Sequence, residues 1–194
     1  MIGTQMVTKG LDFDYVSLVG IISADHLLHY PDFRSSERAF QLMEQVSGRA
    51  GRKHNRGRVV IQAFEIKHPV IQDVLLHDYR RFYTREINER REFGFPPFSR
   101  MIEITVKHGD AVKAEAAAKF LYQFLFDRLG DRVKGPIVPS IPRVRNRYIQ
   151  HIVLKLEKKV KLIRDAKCWI QESITYLKKQ KGMTTIRISV NVDP

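Results

Sequence analysis

The chain has 194 residues, of which 43% are hydrophobic, enough for one ordinary domain and part of a second, each with an apolar core. No apolar run reaches the roughly 18 residues that a membrane-spanning helix needs, and the first residues lack the features of a secretory signal. The single cysteine, Cys168, excludes an internal disulfide and a cysteine-cluster metal site. We therefore expect a cytoplasmic protein that does not enter a membrane.

The net charge of +13 is concentrated at one end of the chain. Residues 100–194 hold twenty Lys and Arg against nine Asp and Glu, whereas residues 1–67 hold nine against seven and residues 68–99 hold five of each. Such an imbalance favours a polyanion-binding C-terminal half, with nucleic acid as the first candidate. Solubility alone is the alternative explanation of the charge.

Residues 1–67 predict strands and helices in alternation. The apolar, β-branched run over residues 16–22 is typical of a strand buried on both faces of a parallel sheet. Ser35 or Ser36 is expected to cap a helix that continues to Gly48, and residues 58–64 predict a second strand. This is α/β material with too few strands for a finished sheet, so we expect further strands upstream.

Residues 68–99 predict a helical connector and a hinge. Pro69 suits the first turn of a helix, and an amphipathic pattern continues to Arg91 and stops at Gly94. The Phe-Pro-Pro-Phe sequence at residues 95–98 cannot continue a helix. The domain boundary is therefore expected at the end of this segment.

Residues 100–194 predict a basic α+β domain. The expected elements are strands over 101–106, 133–138, 148–156 and 184–192, a helix capped by Asp110 that ends near Gly130, and a basic helix over 158–181. The order β-α-β-β-α-β is the split βαβ arrangement, in which two helices cover one face of an antiparallel sheet.

The strongest chemical signal is a turn at the end of the first predicted helix, Gln45-Val46-Ser47-Gly48-Arg49-Ala50-Gly51-Arg52. Two arginines three residues apart can enter one cleft, because glycine lets the backbone bend sharply. The planar guanidinium suits the negative charge of a γ-phosphoryl group in transfer. Gln45 can bond a phosphate or the attacking water. We interpret Gln45, Arg49 and Arg52 as catalytic residues.

A second signal directly precedes the first predicted strand, in the sequence GTQMVTKGLDF at residues 3–13. Backbone N–H groups and hydroxyls of a Gly/Thr-rich loop bind phosphates without reading bases. Asp12, beside the flexible Gly10, could accept hydrogen bonds from a ribose or from an arginine of the other motif. The loop gains significance from its position about forty residues before the arginine turn.

The two segments resemble motifs V and VI of superfamily 2 helicases. The wider pattern is similar to the C-terminal part of the primosomal protein N′ (PriA) family of bacterial replication-restart helicases. The resemblance is carried by GTQMVTKGLDFDYVSLVGIISAD, PDFRSSERAFQLMEQVSGRAGR, GRVVIQAF, REFGFPPFSR and NVDP.

This resemblance implies an incomplete RecA-like helicase lobe 2 followed by a C-terminal domain. The activity that it implies is that of an ATP-dependent 3′-to-5′ DNA helicase, which recognises forked DNA and promotes primosome assembly. By position, Arg49 and Arg52 would face the γ-phosphate with Gln45 beside them. The other implied site residues are Asp12, Gly10 and Gly48 at the nucleotide, and Thr4, Gln5 and Lys9 along the DNA.

The resemblance also implies ATP with Mg²⁺, and zinc, in the full-length protein. This sequence has neither a P-loop nor zinc-binding cysteines, so we expect it to bind no metal or cofactor by itself and to hydrolyse no ATP. The implied partners are forked and single-stranded DNA, the tail of single-stranded DNA-binding protein, and the primosome and replicative-helicase loading proteins. We expect a monomer.

Arg143, Arg145, Arg147 and Tyr148 are the candidate DNA contacts of the basic domain. Alternating arginines project guanidinium groups together for phosphate contact, and Tyr148 offers a ring for base stacking. In the family this loop usually reads like Gly-Arg-Tyr-Arg. Here Asn146, which tolerates a left-handed backbone, replaces the Gly, and Ile149 replaces the second Arg. A solvated loop is the alternative. For the whole chain, the alternative to a helicase fragment is a stand-alone nucleic-acid-binding module of split βαβ fold.

Overall fold

A computed structural model describes residues 16–48, 50 and 57–194, which form two compact units that divide between Glu89 and Arg90. None of the helices in these residues is long and apolar enough to cross a membrane. The elements that begin in the first unit are β1 (Leu18–Ile21), α1 (Asp25–Leu28), α2 (Ser35–Ser47), β2 (Arg58–Ile61), α3 (Pro69–Leu75) and α4 (Tyr79–Glu92).

The first unit has a small core of its own. Strands β1 and β2 pair in parallel, as predicted, with Leu18 opposite Arg58. Both strands alternate between exposed and half-buried residues, so β1 is not buried on both faces as its apolar sequence predicted. The core lies among the helices, where the Phe40 ring of α2 stacks on the Phe82 ring of α4 with 4.3 Å between centroids.

The predicted serine cap of α2 is wrong. Ser35 is already the first helical residue, Arg34 occupies the cap position, and its side chain makes no capping hydrogen bond. The Asp32 carboxylate holds this entry instead, because its Oδ1 accepts a hydrogen bond of 2.9 Å from the Arg34 backbone N–H. The side chain of Asp32, three residues before the helix begins, thus takes the role that was predicted for a serine hydroxyl.

The single helix predicted between Pro69 and Arg91 is two helices, α3 and α4. His77 has a φ of 51°, which breaks the right-handed helix between them. Asp78 then begins α4, because its Oδ1 accepts a hydrogen bond of 2.9 Å from the Arg81 N–H. The amphipathic pattern continued across this break and therefore did not reveal it.

The second unit has the predicted split βαβ topology with one additional strand. Its elements are β3 (Ser99–His108), α5 (Ala111–Leu129), a 3₁₀ turn (Gly130–Arg132), β4 (Val133–Ile137), β5 (Arg143–Val144), β6 (Arg147–Glu157), α6 (Val160–Lys179) and β7 (Arg187–Val192). The strand order is β4-β6-β3-β7 and each pairing is antiparallel, while the short β5 pairs with the first residues of β6. The antiparallel sheet is thus confirmed.

Alternation along the strands gives the sheet one covered face. Ile102, Ile104, Ile152 and Leu154 point towards the helices and pack with Leu121 in a core that α5 and α6 share. The predicted cap of α5 is confirmed, because the Asp110 Oδ1 accepts hydrogen bonds from the second and third helical N–H groups. The odd-numbered residues of β3 and β6 form the opposite face, which α5 and α6 leave open.

A turn of residues 93–99 joins α4 to β3 and is fastened to the sheet. Lys155 of β6 donates a hydrogen bond of 2.9 Å from Nζ to the Phe93 carbonyl, and its ammonium lies 3.8 Å from the centroid of the Phe95 ring. The Ser99 hydroxyl donates to the Gly94 carbonyl at 2.7 Å. The Phe-Pro-Pro-Phe segment therefore has a fixed conformation within the second unit.

We expect Gly135→Ala in β4 to lower the free energy of unfolding by about 1–3 kcal/mol, the range for a strained backbone residue. Gly135 has a φ of +118°, and an added Cβ would lie 2.8 Å from the His151 carbonyl oxygen. Urea unfolding of the whole chain measures the loss.

The matched control for this substitution is Gly109→Ala. A Cβ added at Gly109 would have the Asn146 carbonyl oxygen as its nearest neighbour, at 3.9 Å, and Gly109 has no positive φ. This control should be neutral or slightly stabilising. Equal stability of the two variants would contradict the close approach of β4 to β6 at Gly135.

Candidate nucleic-acid interface

The arginine loop predicted from the sequence is a β-hairpin that β5 and the start of β6 form. Arg143 pairs with Tyr148 and Val144 with Arg147, so Arg145 and Asn146 are the two residues of the turn. Their φ values of 49° and 61° are both left-handed, as a two-residue hairpin turn of type I′ requires. Asn146 suits this conformation, whereas an arginine such as Arg145 rarely adopts it, so the residue type does not predict its left-handed φ.

The hairpin arginines lie on different sides of the ribbon. Residues directly opposite each other share a face, so Arg143 and Tyr148 lie on one face and Arg147 on the other. The Arg143 guanidinium is 4.9 Å from the centroid of the Tyr148 ring, and its Nη2 donates a hydrogen bond to the Asn146 side chain. Arg145 is exposed at the tip. The three charges therefore surround the hairpin.

Tyr148 is half-buried, and one side of its ring already has a cationic neighbour. A base that stacks on this ring must use the other side or displace Arg143. A planar guanidinium held over an aromatic ring remains able to donate to a phosphate from its outer edge. The hairpin thus presents one pre-ordered arginine, Arg143, while Arg145 lies at the tip and Arg147 on the opposite face.

The open face of the sheet carries cations that the sequence analysis did not single out. Lys107 of β3 lies directly opposite Arg187 of β7 in the register. Lys134 of β4 pairs with Val153 of β6. Lys155 follows Val153 by two residues, so Lys134 and Lys155 lie on the same face of the sheet. We call Lys107, Lys134, Lys155 and Arg187 the sheet cations. Strand alternation could have placed each one outside the core, but only the register brings them into pairs.

Lys155 differs from the other sheet cations because the turn of residues 93–99 partly covers it. Burial against this turn lowers the pKa of Lys155, and the nearby Lys134 ammonium lowers it further. Both effects disfavour the charged form of the lysine. An anion near the Lys134–Lys155 pair would act in the opposite direction and favour the charged ammonium.

The predicted catalytic turn is only partly described. Gln45 is exposed in the last turn of α2, and Gly48 directly follows this helix with its backbone N–H bonded to the Glu44 carbonyl at 2.9 Å. The φ of Gly48 is −65°, a value that any residue can adopt. Arg49 and Arg52 lie outside the described residues. The same is true of the loop candidates Thr4, Gln5, Lys9, Gly10 and Asp12.

Residues 16–48, 50 and 57–194 contain no group of three or more His, Cys, Asp and Glu arranged to hold a metal ion. His29, near the start of the first unit, instead lies 3.9 Å from the Glu65 carboxylate. Asp25 accepts hydrogen bonds from the backbone N–H groups of Phe64 and Glu65, which are the main cause of its lowered pKa. These contacts join α1 to the segment after β2.

The sequence matches a family model over its second unit and known proteins over its whole length. The model of the primosomal protein N C-terminal domain matches residues 91–194. Replication restart protein PriA of Bacillus subtilis is 38% identical over 196 residues, which cover 100% of this chain and 24% of the relative. The corresponding protein of Synechocystis is 36% identical over 197 residues, which cover 100% of this chain and 22% of the relative.

A third relative, Replication restart protein PriA of Chlamydia pneumoniae, is 47% identical over 102 residues, or 53% of this chain and 14% of the relative. The chain spans about a quarter of the length of the first two relatives. The family match begins at Arg91, within α4, and includes the entire sheet, the hairpin and the sheet cations. The chain belongs to the PriA family of replication restart proteins and carries its primosomal protein N C-terminal domain.

Proposed function

We propose that this chain is the DNA-binding end of an ATP-dependent 3′-to-5′ DNA helicase that recognises forked replication DNA and promotes primosome assembly. The observation that carries the proposal is the β5–β6 hairpin, where three arginines project from the C-terminal domain of a protein in this family. The names of the relatives supply the context of replication restart.

The helicase part of the proposal rests on the sequence of the first unit. Arg49 and Arg52 would stabilise the charge on the γ-phosphoryl group of ATP, with Gln45 beside them, in a lobe of RecA type. The parallel β1–β2 pair and the exposed Gln45 at the end of α2 support this arrangement. ATP with Mg²⁺, and zinc, would bind residues outside this sequence. The chain alone would therefore hydrolyse no ATP.

The hairpin would bind DNA mainly through phosphates. Arginine donates bidentate hydrogen bonds to phosphate oxygens, and such contacts fix position without reading sequence. Arg143 is held in place by Tyr148 and Asn146, so little of its side-chain freedom would be lost on binding. Forked DNA offers phosphates in several directions, which suits arginines that surround the hairpin.

The basic second unit would also receive protein partners. The acidic-hydrophobic tail of single-stranded DNA-binding protein has a charge complementary to this domain, and a basic pocket suits a terminal carboxylate. Primosome and replicative-helicase loading proteins are the further proposed partners. The protein would act as a monomer in the bacterial cytoplasm, where its DNA is found.

The test of the DNA-binding role is the combined charge reversal of Arg143, Arg145 and Arg147 to Glu in the whole chain. Each phosphate contact on a single strand contributes about 0.7 to the slope of log affinity against log salt concentration. Loss of three contacts should flatten this slope by about two. Fluorescence anisotropy of a labelled DNA strand, measured over a salt series, gives the slope.

The control replaces three exposed lysines of α6, Lys161, Lys167 and Lys178, with Glu, so that the net charge changes equally. If both variants flatten the slope to the same extent, the hairpin has no special role and only the total charge matters. An unchanged slope in the hairpin variant would move the DNA site elsewhere.

A further inference from the structure

We propose that the sheet cations Lys107, Lys134, Lys155 and Arg187 form two phosphate clamps that hold a DNA single strand across the open face of the sheet. This inference rests on the proposed DNA-binding function and assigns a second contact surface to it. The face is discontinuous in sequence, because its cations come from four different strands.

The first clamp is a like-charge pair at the end of the regular β3–β7 ladder. Lys107 and Arg187 are direct partners in the antiparallel β3–β7 register. Directly opposed like charges destabilise a sheet, so folding alone does not favour this pair. Within the described residues no carboxylate forms an ion pair with either side chain. An anion that bridges the two cations would remove the repulsion.

The second clamp lies near the other end of the same face. Lys134 lies close enough to Lys155 to disfavour the charged form of Lys155, which is one cause of the lowered pKa of Lys155. Lys155 pairs with Met101, six residues from Lys107 along β3. At about 3.3 Å per residue, the two clamps are roughly 20 Å apart along the strand direction.

The acidic groups of this face contact basic side chains, whereas the first clamp consists of two cations. Glu103 lies 3.0 Å from His151 Nδ1, and Glu157 at the end of β6 is paired with Arg132 at 2.8 Å. The hydrogen bond from Arg132 is the main reason that the pKa of Glu157 is lowered to about 2. The Arg132–Glu157 pair therefore stays charged at neutral pH and adds no net charge.

A single strand fits the surface between the clamps better than a duplex does. The exposed Ser189 and Asn191 offer hydrogen-bonding groups, and the half-buried Val153 and Met101 offer apolar contact for bases. The face of a sheet touches a cylindrical duplex along a narrow strip of phosphates, whereas a flexible single strand can lay both its backbone and its bases on the sheet. Single-strand binders built on small β-folds cover about 4–16 nucleotides per fold, which includes the proposed span.

Arg147 connects this face to the hairpin. It is an odd-numbered residue of β6, as are Val153 and Lys155, so its side chain starts from the open face. A strand that leaves the hairpin on this side would meet the Lys107–Arg187 clamp next. The hairpin and the sheet would then act as consecutive parts of one DNA path.

The experiment compares the whole chain with the variant Lys107→Gln/Arg187→Gln. Binding of a labelled oligothymidylate strand is measured by fluorescence anisotropy over a salt series, and the melting temperature is measured without DNA. The slope of log affinity against log salt should fall by about 1.4, for two lost phosphate contacts. The melting temperature should stay the same or rise, because a repulsive pair has been removed.

A matched helix variant and the hairpin variant separate this inference from the proposed function. Lys161→Gln/Lys167→Gln removes the same charge from exposed positions of α6 and should leave the slope nearly unchanged. Equal slopes for the sheet and helix variants would overturn the clamp. A flattened slope in the hairpin variant alone would also overturn it but leave the DNA-binding function intact. Failure of the unmodified chain to bind the strand at low salt would refute both.

Binding of a DNA duplex of the same length tests whether the surface prefers single-stranded DNA. We expect the duplex to bind with a slope that the Lys107→Gln/Arg187→Gln substitutions hardly change. If the substitutions weaken duplex and single strand equally, the assignment to single-stranded DNA is wrong. A lower melting temperature together with weaker binding would show that the cations stabilise the fold, and that outcome contradicts the proposal.

Discussion

Asp73→Ala is expected to lower the free energy of unfolding of the first unit by about 1.5–3 kcal/mol, the range for losing a contact with a charged group. Asp73 is fully buried in α3, and its carboxylate lies 3.2 Å from Arg81 Nε and 2.5 Å from Arg85 Nη1. Neither approach has hydrogen-bond geometry, so the attraction is mainly between charges. Without the carboxylate, two guanidinium groups of α4 would repel each other at this position.

Urea unfolding of the whole chain, followed by circular dichroism, measures the effect of Asp73→Ala. The control is Glu115→Ala, which removes an exposed carboxylate 2.7 Å from Lys119 and should cost less than about 1 kcal/mol. The double variant Asp73→Leu/Arg85→Met should recover much of the loss, because apolar residues often replace a buried ion pair without cost. Equal effects of Asp73→Ala and Glu115→Ala would contradict the buried pairing.

Arg52→Ala in the full-length protein should lower the DNA-stimulated rate of ATP hydrolysis by about 10³–10⁵-fold, as removal of an arginine finger does in other phosphoryl-transfer enzymes. This expectation rests on the proposed helicase function. DNA unwinding should be lost with the hydrolysis, while DNA binding should remain nearly intact, because the hairpin and the sheet are unchanged. Steady-state ATPase and DNA-binding assays on the same preparation separate these results.

Arg38→Ala is the control for Arg52→Ala. Arg38 lies in the first turn of α2 and pairs with Asp32 at 2.5 Å, so its loss removes an arginine from the opposite end of α2 without changing the arginine turn that follows the helix. Its ATPase rate should stay close to that of the unmodified protein. A normal rate for Arg52→Ala would remove the catalytic role from this residue.

Much of the second unit could be predicted because its residues alternate with one clear period. Ile102, Ile104 and Val106 on one face of β3 indicate a half-buried strand without reference to the rest of the chain. The Asp110 cap and the end of α5 near Gly130 are local signals of the same kind. The two-residue strand β5 was missed, because two residues give no periodicity.

The break between α3 and α4 could not be predicted from hydrophobic spacing. Val74 and Phe82 both reach the core of the first unit, and their separation suits one continuous helix as well as two. The left-handed φ of His77 and the capping Asp78 cause the break. Neither residue type excludes a helix interior, so propensity alone does not locate the interruption.

In the candidate site, too, residues that are neighbours in sequence are easier to predict than residues that meet only through strand pairing. Arg143, Arg145 and Arg147 were found because they are neighbours in sequence, although the opposite faces of Arg143 and Arg147 follow only from the strand pairing. Lys107 and Arg187 are eighty residues apart and meet only through the β3–β7 register. A sequence pattern can predict that such residues point outward, but their pairing depends on the topology.

The hydrogen bonds of the turn of residues 93–99 restrict where residues can be inserted into the chain or deleted from it. The carbonyl oxygens of Phe93, Gly94 and Pro96 accept hydrogen bonds from Lys155, Ser99 and Arg90 respectively. An inserted or deleted residue would separate these donors from their acceptors and shift the start of β3. Tolerance of insertions should therefore be low here and higher in the exposed segment 138–142, where the chain leaves β4 before the hairpin.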